Sequence, residues 1–208
     1  MRVLIMAGGE GSRLNMGEKP LVRIADKPMI SWVIDAYIGA GCDPVVITSR
    51  KTPYTQNWCR ANSIPFVSTH GRGYLEDLSL AVLTLEETGP FFTSVSDIPC
   101  LRADTICAIR DAYQQSGKEA CSTWIPVVLC QRFGTEPRYQ DDIDGIPASP
   151  AGINILHGSC MGSEQDELKL LLQEQGLVFN VNTQSELALI EEHFHSVMNE
   201  HPSASPFS

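Results

Sequence analysis

Residues Arg2–Pro20 read RVLIMAGGEGSRLNMGEKP, and this stretch decides the fold. Its apolar run Val3–Met6 has the length and character of a buried strand in a parallel sheet. Glycines at positions 8, 9 and 11 follow, where a backbone without Cβ atoms can turn sharply and approach a ligand closely. Arg13 and Lys19 add two positive charges. A strand, a glycine turn and two spaced cations together predict a loop that binds a polyphosphate through its N–H groups.

Two other phosphate-binding motifs fit the stretch less well. A P-loop requires G-x-x-x-x-G-K-[ST], and the sequence contains no such string. A dinucleotide fingerprint requires G-x-G-x-x-G or A; Gly9 and Gly11 match its first half, but Leu14 stands in place of the last small residue. Arg50, after the second predicted strand, could suit the 2′-phosphate of NADP, so a dinucleotide oxidoreductase stays open. A turn that only joins a strand to a helix explains the two cations poorly.

Length and composition limit the classes of protein. A chain of 208 residues predicts one domain, placed at residues 1–198, and the Pro- and Ser-containing residues 199–208 predict a disordered tail. The net charge of −10 argues against a nucleic-acid surface. The sequence has no apolar run long enough to span a bilayer, and the N-terminus enters a strand without a signal-peptide pattern. We therefore expect small-molecule ligands and no membrane partner, and a homodimer is left open.

The cysteines indicate the compartment. The sequence has seven cysteines and no C-x-x-C pair, which fits neither a disulfide framework nor a zinc site. Cysteine in apolar surroundings behaves as a small hydrophobic residue. We therefore expect reduced thiols without a catalytic role in a cytoplasmic protein.

Apolar runs alternate with helical patterns along the chain. This alternation predicts a three-layer α/β/α fold, Rossmann-like, with a mostly parallel central sheet. Strands are predicted after the first at 44–48, 65–68, 91–95, 120–128, 151–156 and 177–181. Helices are predicted at 29–37, 54–62, 75–88, 103–116, 164–175 and 184–193. The polar stretch 131–150, with Asp141, Asp142 and Asp144, is either a solvated loop or a substrate-binding element.

Further candidate residues follow predicted strands. Open parallel sheets bind ligands at the carboxyl ends of their strands, so we expect these residues to share one crevice with the first loop. Ser49 ends the second strand, and Gly71 and Gly73 bracket a loop ahead of a helix that could hold a base, a ribose or an anion. Asp97 follows the strand predicted to be central. From the residues alone, Asp97 is either a magnesium ligand or a turn residue ahead of Pro99.

The segments Leu4–Arg13 and Glu18–Leu21 resemble the signature of nucleotidyltransferases with a glycosyltransferase-A-like fold. That group includes sugar-nucleotide pyrophosphorylases and molybdenum-cofactor guanylyltransferases. Three later segments resemble, more narrowly, the archaeal GTP:adenosylcobinamide-phosphate guanylyltransferases: Gly71–Leu78 (GRGYLEDL), Pro150–Asn154 (PAGIN) and Phe179–Thr183 (FNVNT). Because Thr183 and Glu186 form a helix capping box, the last segment is interpreted first as a signature of the fold.

The resemblance implies an activity and a set of site residues. It implies transfer of GMP from GTP to adenosylcobinamide phosphate, with magnesium as cofactor, in cobalamin biosynthesis. Asp97 matches the metal-binding aspartate of relatives, and Asn154 matches an asparagine that some of them use as a second ligand. Arg13 and Lys19 are the predicted catalytic residues. The predicted nucleotide-binding residues are Ala7, Gly8, Gly9, Gly11, Ser12, Arg13, Lys19, Ser49, Gly71, Gly73 and Asp97.

Three other functions remain open from the sequence. A molybdenum-cofactor or sugar-phosphate nucleotidyltransferase would share the first loop but differ in base and acceptor. An NADP-dependent oxidoreductase would use the loop for a dinucleotide. A non-catalytic GTP-binding module would bind the nucleotide without releasing pyrophosphate.

Overall fold

The computed structural model describes residues 1–9, 11, 13–137 and 139–199. The strands are β1 (Arg2–Met6), β2 (Arg23–Ile24), β3 (Lys27–Pro28), β4 (Asp43–Ser49), β5 (Phe66–Thr69), β6 (Pro90–Val95), β7 (Ala120–Pro126), β8 (Asp141–Ile143), β9 (Ile146–His157) and β10 (Glu167–Leu171). The helices are α1 (Met29–Gly39), α2 (Pro53–Ala61), α3 (Tyr74–Thr84), α4 (Ala103–Ser116), α5 (Val127–Arg132) and α6 (Gln184–Asn199). None of the described helices has the length and apolar character needed to cross a membrane.

The central sheet is mostly parallel, as predicted. Seven strands follow one another in the order β10-β7-β9-β6-β1-β4-β5, and β8 pairs with the beginning of β9. Neighbours from β6 to β5 are parallel, as are β10 and β7, whereas β9 runs antiparallel to both β6 and β7. The strand predicted to be central, β6, lies in the middle of this order. β2 and β3 form a separate antiparallel pair.

Helices cover both faces of the sheet, which confirms the predicted three layers. Alternate residues of a strand point to opposite faces, and β1 shows this directly. Val3 and Ile5 pack in the cluster that holds α1, α4 and α6. Leu4 packs in the other cluster, with α3. On the first face, the rings of Trp32 and Phe194 lie 4.8 Å apart and join α1 to α6.

The parallel strands bring distant loops to one edge. β1, β4, β5 and β6 share a direction, so the segments that follow Met6, Ser49, Thr69 and Val95 all leave at the same edge of the sheet. This edge therefore collects the glycine loops and Asp97.

Two predicted elements near the C-terminus are wrong. Residues 164–175 were expected to form a helix, but Glu167–Leu171 is β10, which lies parallel to β7. Alternation of leucines over five residues fits both periods, so the pattern alone did not distinguish them. Residues 177–181 were expected to be a strand. Gln175–Leu177 is instead a 3₁₀ turn, followed by an irregular segment that is apolar because it is buried against the core.

The predicted domain limit falls near the end of α6. Helix α6 extends to Asn199, six residues beyond the His193 expected from sequence. The predicted tail beyond Asn199 lies outside the described residues. The placement of the domain at 1–198 therefore stays a prediction.

The cysteines are all free and most are buried. Burial raises the pKa of the Cys59 thiol to about 11 and that of the Cys100 thiol to about 12. Because the thiolate is the reactive form, these two thiols are poor nucleophiles near neutral pH.

Candidate functional site

Segments from four parallel strands form one crevice of about 350 Å³ at the carboxyl edge of the sheet. The first loop contributes Ala7–Gly9 after β1, and the second glycine loop contributes Gly71 and Gly73 after β5. Asp97 enters from the end of β6, and Lys19 closes the crevice from the chain after the first loop. The structure thus brings together most of the nucleotide-binding residues predicted from the sequence.

The charged centre of the crevice is an ion pair. The ammonium of Lys19 contacts Oδ2 of Asp97 and donates a hydrogen bond to Oδ1 of Asn182 at 2.7 Å. Both members of the pair are largely buried, with 14% and 10% of the Lys19 and Asp97 side chains exposed. The other oxygen of Asp97, Oδ1, is buried and has no hydrogen-bond partner among the described residues. That free oxygen is available to a ligand or a metal ion.

Asn182 is a site residue that the sequence interpretation missed. It lies 163 residues from Lys19 in the chain, and its side-chain amide donates to Oδ1 of Asn180. The first bond of the expected capping box forms beside it, because Thr183 Oγ1 accepts from Glu186 N at 3.2 Å. The Glu186 carboxylate accepts from Asn182 N, one residue before the cap, at 2.7 Å. The cap therefore holds the backbone of Asn182 while its side chain orients Lys19.

Glu18 fixes the backbone next to Lys19. Its carboxylate accepts hydrogen bonds from the backbone N–H groups of Tyr54 at 2.8 Å and Thr55 at 2.6 Å. These are first-turn N–H groups of α2, which have no partner within the helix. One carboxylate therefore satisfies the start of α2 and anchors the segment that carries the lysine.

Ser49 lies beneath both glycine loops. It is fully buried, and its hydroxyl donates to the carbonyl of Gly8 at 2.7 Å. A Cβ added at Gly8 would lie 3.1 Å from the Ser49 Cβ, and one added at Gly71 would lie 3.2 Å from it. Ser49 thus braces the two loops, and direct contact with a nucleotide stays a prediction.

The second glycine loop is closed by Asp77. Its Oδ1 accepts a hydrogen bond from Gly71 N at 3.0 Å, and its own N–H donates to the carbonyl of Gly73 at 3.0 Å. The next wall of the crevice is Tyr74, whose hydroxyl lies 2.7 Å from Thr93 Oγ1. Burial raises the pKa of the Tyr74 hydroxyl, so it stays protonated near neutral pH.

One predicted residue, Arg13, lies outside the crevice lining, so its catalytic role stays a prediction, and another, Ser12, cannot be compared. Among the described residues, the cations that line the crevice are Lys19 and Lys51. Arg13 is instead exposed, in a turn where Leu14 N donates to Gly11 O at 2.9 Å. Lys51 was missed, although its place two residues after the end of β4 was a usable signal. Ser12 lies outside the described residues.

The strand register places Asn154 back from the end of β6, and its assignment as a second metal ligand stays a prediction. Asn154 lies opposite Thr93 in the β6–β9 pair. Thr93 is two residues before the end of β6, or about 7 Å at 3.3–3.4 Å per residue, whereas Asp97 lies beyond that end. The Asn154 side chain hydrogen-bonds the Tyr74 hydroxyl instead. The antiparallel direction of β9, which the sequence did not reveal, moves this residue away from the edge.

A glycine loop, a lysine and a buried aspartate at the carboxyl edge of a mostly parallel sheet define a class of nucleotide-binding enzymes. Residues 3–177 match the family model described as the MobA-like NTP transferase domain, and the chain belongs to this family of nucleotidyltransferases. Family membership decides between the reaction classes left open by the sequence, against a dinucleotide oxidoreductase.

Individual relatives agree with this family. Over 202 residues, the chain is 30% identical to the adenosylcobinamide-phosphate guanylyltransferase of Methanocaldococcus jannaschii. The match covers 92% of this chain and 96% of that protein. The molybdopterin-guanine dinucleotide biosynthesis protein A of Archaeoglobus fulgidus has the same fold, with a TM-score of 0.66 and 17% identity over 94% of this chain and 100% of that one. HddC of Yersinia pseudotuberculosis, solved with GMP-PN, gives a TM-score of 0.69 and 15% identity over 93% and 99% of the two chains.

Gly11 gives a first test of the crevice. Its φ is +64°, and a Cβ added there would lie 2.3 Å from the Cβ of Lys19. We expect Gly11→Ala to displace Lys19, and a displacement of about 1 Å lowers turnover about 100-fold. The kinetics of nucleotidyl transfer measure the loss of turnover, and thermal unfolding shows whether the variant is still folded.

Gly17 is the matched control, because it shares the positive φ, at +82°, but has nothing within 4 Å of an added Cβ. We expect Gly17→Ala to lower the unfolding free energy by about 1 kcal/mol, the cost of a left-handed non-glycine residue, with turnover kept. Equal turnover in both variants would contradict the role given to the Gly11–Lys19 contact.

Proposed function

We propose that this protein transfers GMP from GTP to adenosylcobinamide phosphate, giving adenosylcobinamide-GDP and pyrophosphate. The observation that carries the proposal is the 30% identity to the Methanocaldococcus jannaschii guanylyltransferase, extending over 92% of this chain and 96% of that protein. Because the match includes the second half of the chain, it supports the acceptor as well as the nucleotide. The free cysteines support a cytoplasmic place of action, where thiols stay reduced.

The contacts of the crevice support roles for its residues. The N–H groups of the first loop, Gly8 and Gly9 among them, would hold the triphosphate. Lys19 and Lys51 would neutralise the negative charge that develops on the α-phosphoryl group and on the leaving pyrophosphate. Because this negative charge develops in the transition state, the positive charge of Lys19 would stabilise the transition state more than bound GTP. Lys19 would therefore act on the rate more than on the affinity for GTP.

Asp97 is the residue that would hold magnesium. Its Oδ1 is buried without a partner among the described residues, which fits a hard cation that binds oxygen. Magnesium is commonly held by one or two carboxylates together with substrate phosphates. Among the described residues there is no group of three or more His, Cys, Asp or Glu side chains placed to bind a metal, which agrees with that mode. The ion, when bound, would supply positive charge to the phosphates.

The proposed reaction needs no protein nucleophile. A phosphate oxygen of the acceptor attacks the α-phosphorus of GTP in line, forming a new P–O bond. The bond from the α-phosphorus to the bridging oxygen breaks, and pyrophosphate leaves with the electron pair. A phosphate monoester is already an anion near neutral pH, so no general base is required. Positioning and charge neutralisation therefore supply the rate.

Two measurements test the proposal in order. Calorimetric titration with GTP, ATP, CTP and UTP, each with and without magnesium, should give the tightest binding for GTP, by about tenfold or more. Adding adenosylcobinamide phosphate should then release pyrophosphate, which a coupled assay detects. Preference for another base, or release only with molybdopterin or a sugar phosphate as acceptor, would contradict the proposed function.

A further inference from the structure

A second crevice opens beside α5, with a volume of about 610 Å³, and we refer to it as the α5 crevice. Its lining includes the apolar side chains of Val128, Leu129 and Ile146 and the amides of Gln131 and Gln173. Val128 is 71% exposed and Ile146 is 42% exposed. Single exposed apolar residues are common, but two that line one crevice mark a surface suited to an apolar ligand.

Strand register places the α5 crevice at the edge of the sheet that holds the nucleotide crevice. Ile153 of β9 lies opposite Ser94, and Ala148 lies opposite Pro126, which immediately precedes α5. β9 has a register shift opposite Ser122–Trp124, so the distance is counted along β7: Ser122 pairs with Asn154, next to Ile153, and Pro126 lies four residues, or about 13 Å, further on. Asp97, three residues beyond Ser94, lies about 10 Å along the same direction.

Lateral spacing adds the second component of the separation. β9 and β7 follow β6 in the sheet, and each step is about 4.8 Å. Together, the distance along the strands and the distance across them place Asp97 roughly 10–15 Å from the α5 crevice. One large ligand can therefore occupy the α5 crevice and still extend a side arm to the nucleotide.

We propose that the α5 crevice binds the macrocyclic body of the acceptor, and this inference rests on the proposed function. A corrinoid is a broad ring with apolar surface and a periphery of amide side chains, and its phosphate stands on a flexible arm. The apolar lining residues match the ring, and Gln131 and Gln173 can each donate to and accept from the peripheral amides.

Val128→Asp tests the α5 crevice with little risk to the fold, because the side chain is 71% exposed. We expect the KM for adenosylcobinamide phosphate to rise about tenfold or more, with kcat and the affinity for GTP unchanged. Equilibrium dialysis of phosphate-free cobinamide, followed by its visible absorbance, should show the same loss of binding. The matched control is Leu83→Asp, at a site 75% exposed near the C-terminal end of α3, which should change neither quantity.

The outcomes separate this inference from the proposed function. If the wild-type enzyme releases pyrophosphate with adenosylcobinamide phosphate but Val128→Asp leaves its KM and cobinamide binding unchanged, the α5 crevice is not the acceptor site, while the proposed function stands. If the wild type does not use this acceptor at all, the proposed function fails first. If Val128→Asp instead converts a dimer into a monomer in sedimentation, with cobinamide binding intact, the crevice is an interface between copies and the inference is overturned.

Discussion

Lys19→Ala should lower the kcat of nucleotidyl transfer by about 100- to 1000-fold, the usual effect of removing one preorganised charge from a transition state. Lys19 is the cation that contacts Asp97 inside the crevice, and Asn182 holds its ammonium at 2.7 Å. The affinity for GTP should fall less than kcat does. Steady-state kinetics with saturating nucleotide and pyrophosphate detection measure the change. An unchanged kcat would remove Lys19 from the mechanism.

The same substitution should also destabilise the protein. Asp97 would be left as a buried charge without its partner, which typically costs about 3–5 kcal/mol of unfolding free energy. Adding Asp97→Asn to Lys19→Ala should recover much of that stability, because no buried charge then remains, and should recover none of the activity. Chemical denaturation separates the two effects. The control is Lys118→Ala, which breaks an exposed pair with Asp166 at 2.8 Å and should alter neither.

Asp97→Asn should lower kcat by at least about 100-fold, the cost of one lost electrostatic contact, and should weaken its dependence on magnesium. The amide preserves the shape of the side chain but removes the charge and one metal-binding oxygen. The buried, unpartnered Oδ1 is the atom whose chemistry changes. We would measure kcat against magnesium concentration and the heat of magnesium binding in the presence of GTP.

Asp104→Asn is the control for this loss. Asp104 lies seven residues further along the chain and pairs with Arg102 at 2.5 Å, but its side chain is 45% exposed and lies outside the crevice lining. It should retain the magnesium dependence of the wild type. Equal magnesium dependence in Asp97→Asn and the wild type would show that Asp97 is not the ligand.

Much of the fold could be predicted because its signals are local. A buried strand, a glycine turn and the next helix each occupy a few consecutive residues, so periodicity and turn chemistry indicate them directly. The bounds of α4, residues 103–116, agree with those predicted. The predictions failed where local patterns fit two structures, as in Glu167–Leu171, or where burial made an irregular segment as apolar as a strand, as in residues 178–181.

The candidate site, like the fold, has features that local sequence predicts and features that depend on contacts between distant segments. Short-range chemistry determined the glycine loop after the first strand, the position of Lys19 after that loop and the placement of Asp97 after a buried strand. Only the tertiary structure decided which of these side chains meet. Lys19 reaches Asp97 across 78 residues and Asn182 across 163. It also decided that Arg13 points to solvent, that Lys51 lines the crevice and that Asn154 lies back from the edge.

By itself, the sequence of this protein determined the α/β domain of a nucleotidyltransferase and most of the segments that line the crevice. Strand direction and register decided the remainder, since they set which ends of distant segments share an edge. One antiparallel strand, β9, sets Asn154 opposite Thr93, back from the edge, and pairs Ala148 with Pro126 at the end of β7. Pairing of this kind depends on contacts among residues far apart in the chain, and no local pattern specifies those contacts.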